Sequence, residues 1–96
     1  MTGTTRSSAG LDDRRKRLLF RCWHRGMREM DLILGRFADA HIADLTDSEL
    51  DDLERLGELP DPDLYAALSG GAELPAEFTR GVFQRIKAFQ ATDAGA

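Results

Sequence analysis

The sequence predicts an all-α protein, a small antiparallel bundle of about five helices. Three observations lead there. Apolar residues recur at spacings of three and four through most of the chain, and no stretch alternates apolar with polar residues as a half-buried strand would. The periodic segments are also bracketed by residues that start and stop helices. With 96 residues there is chain for one domain with a modest core.

The N-terminal stretch MTGTTRSSAG, residues 1–10, is small and polar and reads as a disordered leader to a helical domain over 11–90. It has no apolar segment of the kind a secretory signal carries. In the first helix Asp12 or Asp13 supplies the cap, and Leu18, Leu19, Cys22 and Trp23 form one stripe. Arg14, Arg15, Lys16 and Arg17 occupy its first turns, where the helix dipole prefers acids; a solvated face and a partner surface both fit that placement. Gly26 breaks the run. The second helix carries Met30, Ile33, Leu34, Phe37, Ala38 and His41 at helical spacing, the strongest periodic signal in the chain. Thr46, Asp47, Ser48 and Glu49 make a capping box for the third, with Leu45 placed to staple onto Leu50. Leu50, Leu53 and Leu56 follow, and Gly57 stops it. In the short fourth helix Asp61 reads as cap, Pro62 as the first helical residue and Gly70-Gly71 as terminator. The last begins near Pro75 and buries Phe78, Val82, Phe83, Ile86 and Phe89. Residues 91–96, ATDAGA, read as a frayed tail.

Composition sets limits on function. The chain is 42% hydrophobic and 31% charged, as a soluble globular protein is, and no apolar run approaches the roughly 18 residues of a membrane span. A lone Cys22 inside an apolar pattern reads as a reduced core thiol, which suits the cytoplasm. His24 and His41 are too far apart for a metal site, and His41 lies on an apolar face. No nucleotide-binding fingerprint and no nucleophile motif occurs, so neither a nucleotide-binding fold nor catalytic residues are expected. Net charge is −4, unevenly spread: residues 1–30 hold eight Arg/Lys against three Asp/Glu, a net +5, and residues 31–96 hold five against fourteen, a net −9. One basic end on an acidic remainder suits docking on a charged partner. Arg14, Arg15, Lys16, Arg17, Arg21, Arg25 and Arg28 could meet phosphates. A nucleic-acid-binding or general adaptor module is therefore the alternative reading, although the acidic remainder offers no base-reading helix.

The stretch RCWHRGMREMD, residues 21–31, is where helical periodicity gives way to charge. Gly26 permits a positive φ between helices and lets a foreign backbone come close. Arg25 and Arg28 offer forked donors to a carboxylate or phosphate, and Glu29 can cap the second helix or accept from a partner. The pattern alone fits a helix–helix turn with incidental charges as well as it fits an interaction site.

Arg25-Gly26 followed by Glu29, then Met30-Asp31, resembles the RGxxE signature of the SdhE family of FAD assembly factors, the flavinylation factors of succinate dehydrogenase. RCWHRGMREMDLILGRFA, LTDSELDDLERL and DPDLYAAL stand in that family's order and spacing, so the resemblance covers nearly all of residues 11–90. It implies an assembly factor rather than a free-standing enzyme. Its partner would be the flavoprotein subunit of succinate dehydrogenase and, in bacteria, that of fumarate reductase. The bond formed joins the flavin 8α-methyl carbon to a histidine nitrogen of the partner, so FAD and the chemistry belong to the partner. The helper would orient domains and preorganise charge. Carried onto this chain, the resemblance makes Arg25, Gly26 and Glu29 partner-binding, with Arg28 and Asp31 beside them. Asp61, Pro62 and Asp63 match a second block whose role is helix capping. No nucleic acid and no membrane is implied. The expected state is a monomer in the bacterial cytoplasm, or in the mitochondrial matrix for a eukaryotic source.

Overall fold

The computed structural model describes residues 10–93, with side chains to residue 90. Most of the expected leader and half of the expected tail lie outside the described residues. Six helices and no strand occur among the described residues: α1 Asp13–Trp23, α2 Arg28–His41, α3 Asp47–Gly57, α4 Asp61–Leu68, α5 Ala76–Thr79 and α6 Val82–Asp93. The all-α expectation holds. The chain divides after Leu45 into two units.

The first unit is a helical hairpin. Asp12 caps α1, its carboxylate accepting from the Arg15 amide at 3.0 Å. Leu18, Leu19, Cys22 and Trp23 are buried as the periodicity required. Arg15, near the start of α1, donates from Nε to the Ile42 carbonyl at 2.9 Å and from its terminal nitrogen to the Leu45 carbonyl. The start of α1 therefore lies beside the end of α2, and the two helices run antiparallel. This guanidinium answers the carbonyl of the α2 C-cap, Ile42, and that of Leu45 in the segment that follows. Arg15 thus serves neither as a solvated face nor as a partner surface; it is half-buried and holds the hairpin together. At the other end of the hairpin the Trp23 ring lies against Gly35, so closely that a methyl group there would run into it. Trp23 Nε1 donates to Asp39 at 3.1 Å. Met30, Leu34, Phe37 and Ala38 complete the buried face of α2. Ile33, expected in that core, is only half-buried, and His41 is half-buried beside the Phe37 ring, with centroids 5.1 Å apart.

The second unit opens with the capping box as read. Thr46 Oγ1 accepts from the Glu49 amide at 3.2 Å, and Glu49 Oε1 accepts from the Thr46 amide at 2.9 Å. Such a cap is worth about 1 kcal/mol. Glu49 also pairs with Arg85 of α6 at 2.6 Å, so one carboxylate starts α3 and fixes α6 to it. Three boundaries differ from the sequence reading. Gly57 does not stop α3 but is its last residue, with Glu58 as the C-cap. Asp61 is the first residue of α4 and not its cap; Pro60 takes that place, without a side-chain hydrogen bond, because its φ of −59° and ψ of 141° already lead into the helix. The long last helix is two, since Gly81 at φ +64° turns the backbone between α5 and α6. There the carboxylate of Asp52 sits 2.6 Å from where a Cβ would be. Phe78 and Phe89 are half-buried, whereas Val82, Phe83 and Ile86 are buried. α4 closes as read: Gly70, at φ +86°, donates to the Ala67 carbonyl and Gly71 to that of Ala66 at 2.7 Å, a Schellman ending.

Candidate functional site

The connection between α1 and α2 is built from the backbone outward. His24 ends α1 at φ −131°, its amide donating to the Arg21 carbonyl at 3.2 Å. Gly26 follows at φ +96°, exposed, with open space where a Cβ would be. Glycine is needed here for the backbone angle alone, because no atom crowds the site. Met27 enters α2 in extended conformation without a side-chain cap. The turn is locked from the helix instead: the Arg25 amide donates to Asp31 Oδ1 at 2.6 Å.

All five residues singled out in the sequence therefore meet on one turn, in two different ways. Asp31 is half-buried and holds the loop. Gly26, Arg28 and Glu29 are exposed, and Arg25 is half-buried. Glu29 and Asp31 lie in the first turn of α2, where carboxylates suit the dipole. Beneath the turn, Cys22 is buried and its thiol pKa is pushed up to about 12 by desolvation, against a smaller opposing pull from the Arg25 charge. The thiol is inert packing. Among the described residues no group of His, Cys, Asp and Glu is placed to hold a metal, and no helix is long and apolar enough to cross a membrane. An open hollow of about 320 Å³, lined in part by Gly70, Glu73, Thr79 and Lys87, includes none of the turn residues.

Sequence reasoning missed one neighbour of this turn. Phe20 is 62% exposed and its ring stacks on His24, with centroids 3.9 Å apart and planes 15° from parallel. His24 Nδ1 lies 2.7 Å from the Phe20 carbonyl. Since a carbonyl only accepts, Nδ1 carries the proton and donates. The available signal was a large apolar residue outside the stripe formed by Leu18, Leu19, Cys22 and Trp23. What the turn presents is a glycine backbone, two charged side chains and a flat aromatic pair, an arrangement suited to meeting another protein surface.

Residues 16–90 match the protein family described as flavinator of succinate dehydrogenase. The chain is 42% identical over 73 residues to the mitochondrial succinate dehydrogenase assembly factor 2 of Dictyostelium discoideum, covering 76% of this chain and 52% of that protein. It is 41% identical over 73 residues to the FAD assembly factor SdhE of Acetobacter pasteurianus, covering 76% and 67%. A third relative, the FAD assembly factor SdhE of Legionella pneumophila, is 44% identical over 64 residues, covering 66% and 80%. The chain spans about half the length of the mitochondrial relatives it matches. No solved structure matches it.

Proposed function

This chain belongs to the family of flavinators of succinate dehydrogenase, and on that premise we propose that it binds the flavoprotein subunit of succinate dehydrogenase and promotes covalent attachment of FAD to a histidine there. The observation that carries the reading is the family match running through a turn whose Gly26, Arg28 and Glu29 are all exposed. The chain's role is positional and not enzymatic: FAD and the acceptor histidine are both the partner's, and the chain holds no cofactor of its own. Gly26 lets the partner backbone approach, while Arg25, Arg28 and Glu29 add fixed charges that orient the partner around its flavin. In a bacterial source the setting is the cytoplasm, with the flavoprotein of fumarate reductase as a second client; in a eukaryotic source it is the mitochondrial matrix. The free factor is a monomer.

Glu29→Ala tests the reading. Glu29 is exposed, so its removal costs no more than about 1 kcal/mol, the dipole contribution of a first-turn carboxylate included. The variant is expected to melt as the wild type does and to lower covalent flavin on the partner, read as in-gel fluorescence after denaturation. A folded variant that supports normal flavinylation removes Glu29 from the site.

A further inference from the structure

Helix α1 has a second face. Its buried stripe is Leu18, Leu19, Cys22 and Trp23, and on the opposite side stand Arg17, Phe20, Arg21 and the C-cap His24, three, four and seven positions on from Arg17. All four are exposed. Phe20 is the one large hydrophobic residue that stands exposed among the described residues. Residues at that spacing share one side of a helix, and this stripe runs directly into Arg25-Gly26.

Resting on the reading above, we propose that this stripe extends the docking surface from the turn along α1, with the stacked Phe20 and His24 as its apolar anchor. The occupant is an acidic, apolar-centred patch of the flavoprotein subunit. Three observations support it. The aromatic pair is already ordered, by ring stacking and by the Nδ1–H bond to the Phe20 carbonyl, so little freedom is lost when it is covered. That bond leaves Nε2 of His24 as the ring nitrogen available to a partner. Arg17 and Arg21 flank Phe20, and Arg28 stands exposed beyond the turn. An aromatic centre with a cationic rim matches the usual anatomy of a binding hot spot and calls for carboxylates opposite. The chain's net +5 over residues 1–30 selects an acidic partner in the same sense.

The test measures binding of the full chain to the FAD-free flavoprotein subunit at low and at moderate salt, for wild type, Phe20→Ala, Arg21→Glu and Gly26→Arg. An exposed ring supports no core, so Phe20→Ala is expected to keep the wild-type melting temperature and circular dichroism while weakening binding about tenfold or more, the loss typical of a hot-spot aromatic. Arg21→Glu is expected to slow association and flatten the salt dependence. If Phe20→Ala binds as wild type does while Gly26→Arg does not bind, docking is confined to the turn and the inference fails with the proposed function intact. If the wild-type chain itself does not bind the subunit, the proposed function fails first. Binding of wild type to a nucleic-acid duplex in preference to the subunit, lost in Phe20→Ala, would assign the stripe to a different partner and overturn the inference.

Discussion

Two glycines of the hairpin do opposite jobs, and substitution separates them. At Gly26 there is room for a side chain but the backbone sits at φ +96°. Gly26→Ala is therefore expected to cost about 1–2 kcal/mol of backbone strain with no clash, seen as a lower urea midpoint at unchanged slope. Gly35 has an ordinary backbone angle and no room, because the Trp23 ring fills the place of a Cβ. Gly35→Ala is expected to destabilise by about 1–3 kcal/mol through overpacking, with a changed Trp23 fluorescence spectrum as its distinguishing mark. An unshifted spectrum would show that the ring does not rest there. Only the first glycine was legible in the sequence, as a break between two periodic runs. The second hides inside a clean helical repeat, since its reason lies on the other helix. Its one local signal is the helix propensity that a mid-helix glycine gives up. Phe20 was passed over for a similar reason: periodicity finds what is buried together, and says little about an apolar residue left outside.

Helix ends divide along the same line, into those fixed by neighbours in sequence and those fixed from afar. The Asp12 cap, the Thr46–Glu49 box and the Gly70 ending rest on residues within a few positions of one another, and the sequence shows them. Arg15 reaches carbonyls 27 and 30 positions away, and no local pattern could distinguish it from its basic neighbours. Its side-chain bonds to the end of α2 predict that Arg15→Ala loses about 1–3 kcal/mol. Arg15→Lys should recover little, because an ammonium lacks the fork that meets two carbonyls. Equal stability of Arg15→Ala and wild type in urea would show that the clasp contributes nothing. The division of the expected last helix at Gly81 was missed because Pro75 and the following phenylalanines continue the helical spacing across it.

For the molecule as a whole, charge governs its response to acid. The Glu49 carboxyl is held below its usual pKa of 4.5, first by the Thr46 amide and further by Arg85; Asp12 is likewise held below 3.8, chiefly by the Arg15 amide. A carboxyl whose folded pKa is depressed adds stability above its unfolded pKa and loses it as pH falls through the folded value. The melting temperature is therefore expected to be insensitive to these groups near neutrality and to drop as pH falls below about 4.5. Glu49→Gln should shrink that drop, only modestly because the groups are solvent-screened; an identical acid profile in the variant would refute the assignment. The all-α class was legible because short-range spacing defines it; residues 25–31 stood out by spacing and charge only as a charged break between helices, and it was the resemblance to the RGxxE signature that singled them out as a site. The split of roles within that cluster, with Asp31 holding the loop and Glu29 free at the surface, required the coordinates. In the function proposed above, this chain helps another protein bind its flavin covalently. Purified FAD-free flavoprotein subunit of succinate dehydrogenase, incubated with FAD with and without the chain, tests it most directly through the covalent flavin retained after denaturation. The account predicts a clear rise in covalent flavin when the chain is present, with none attached to the chain itself; equal yields in both samples, or flavin bound covalently to the chain, would contradict it.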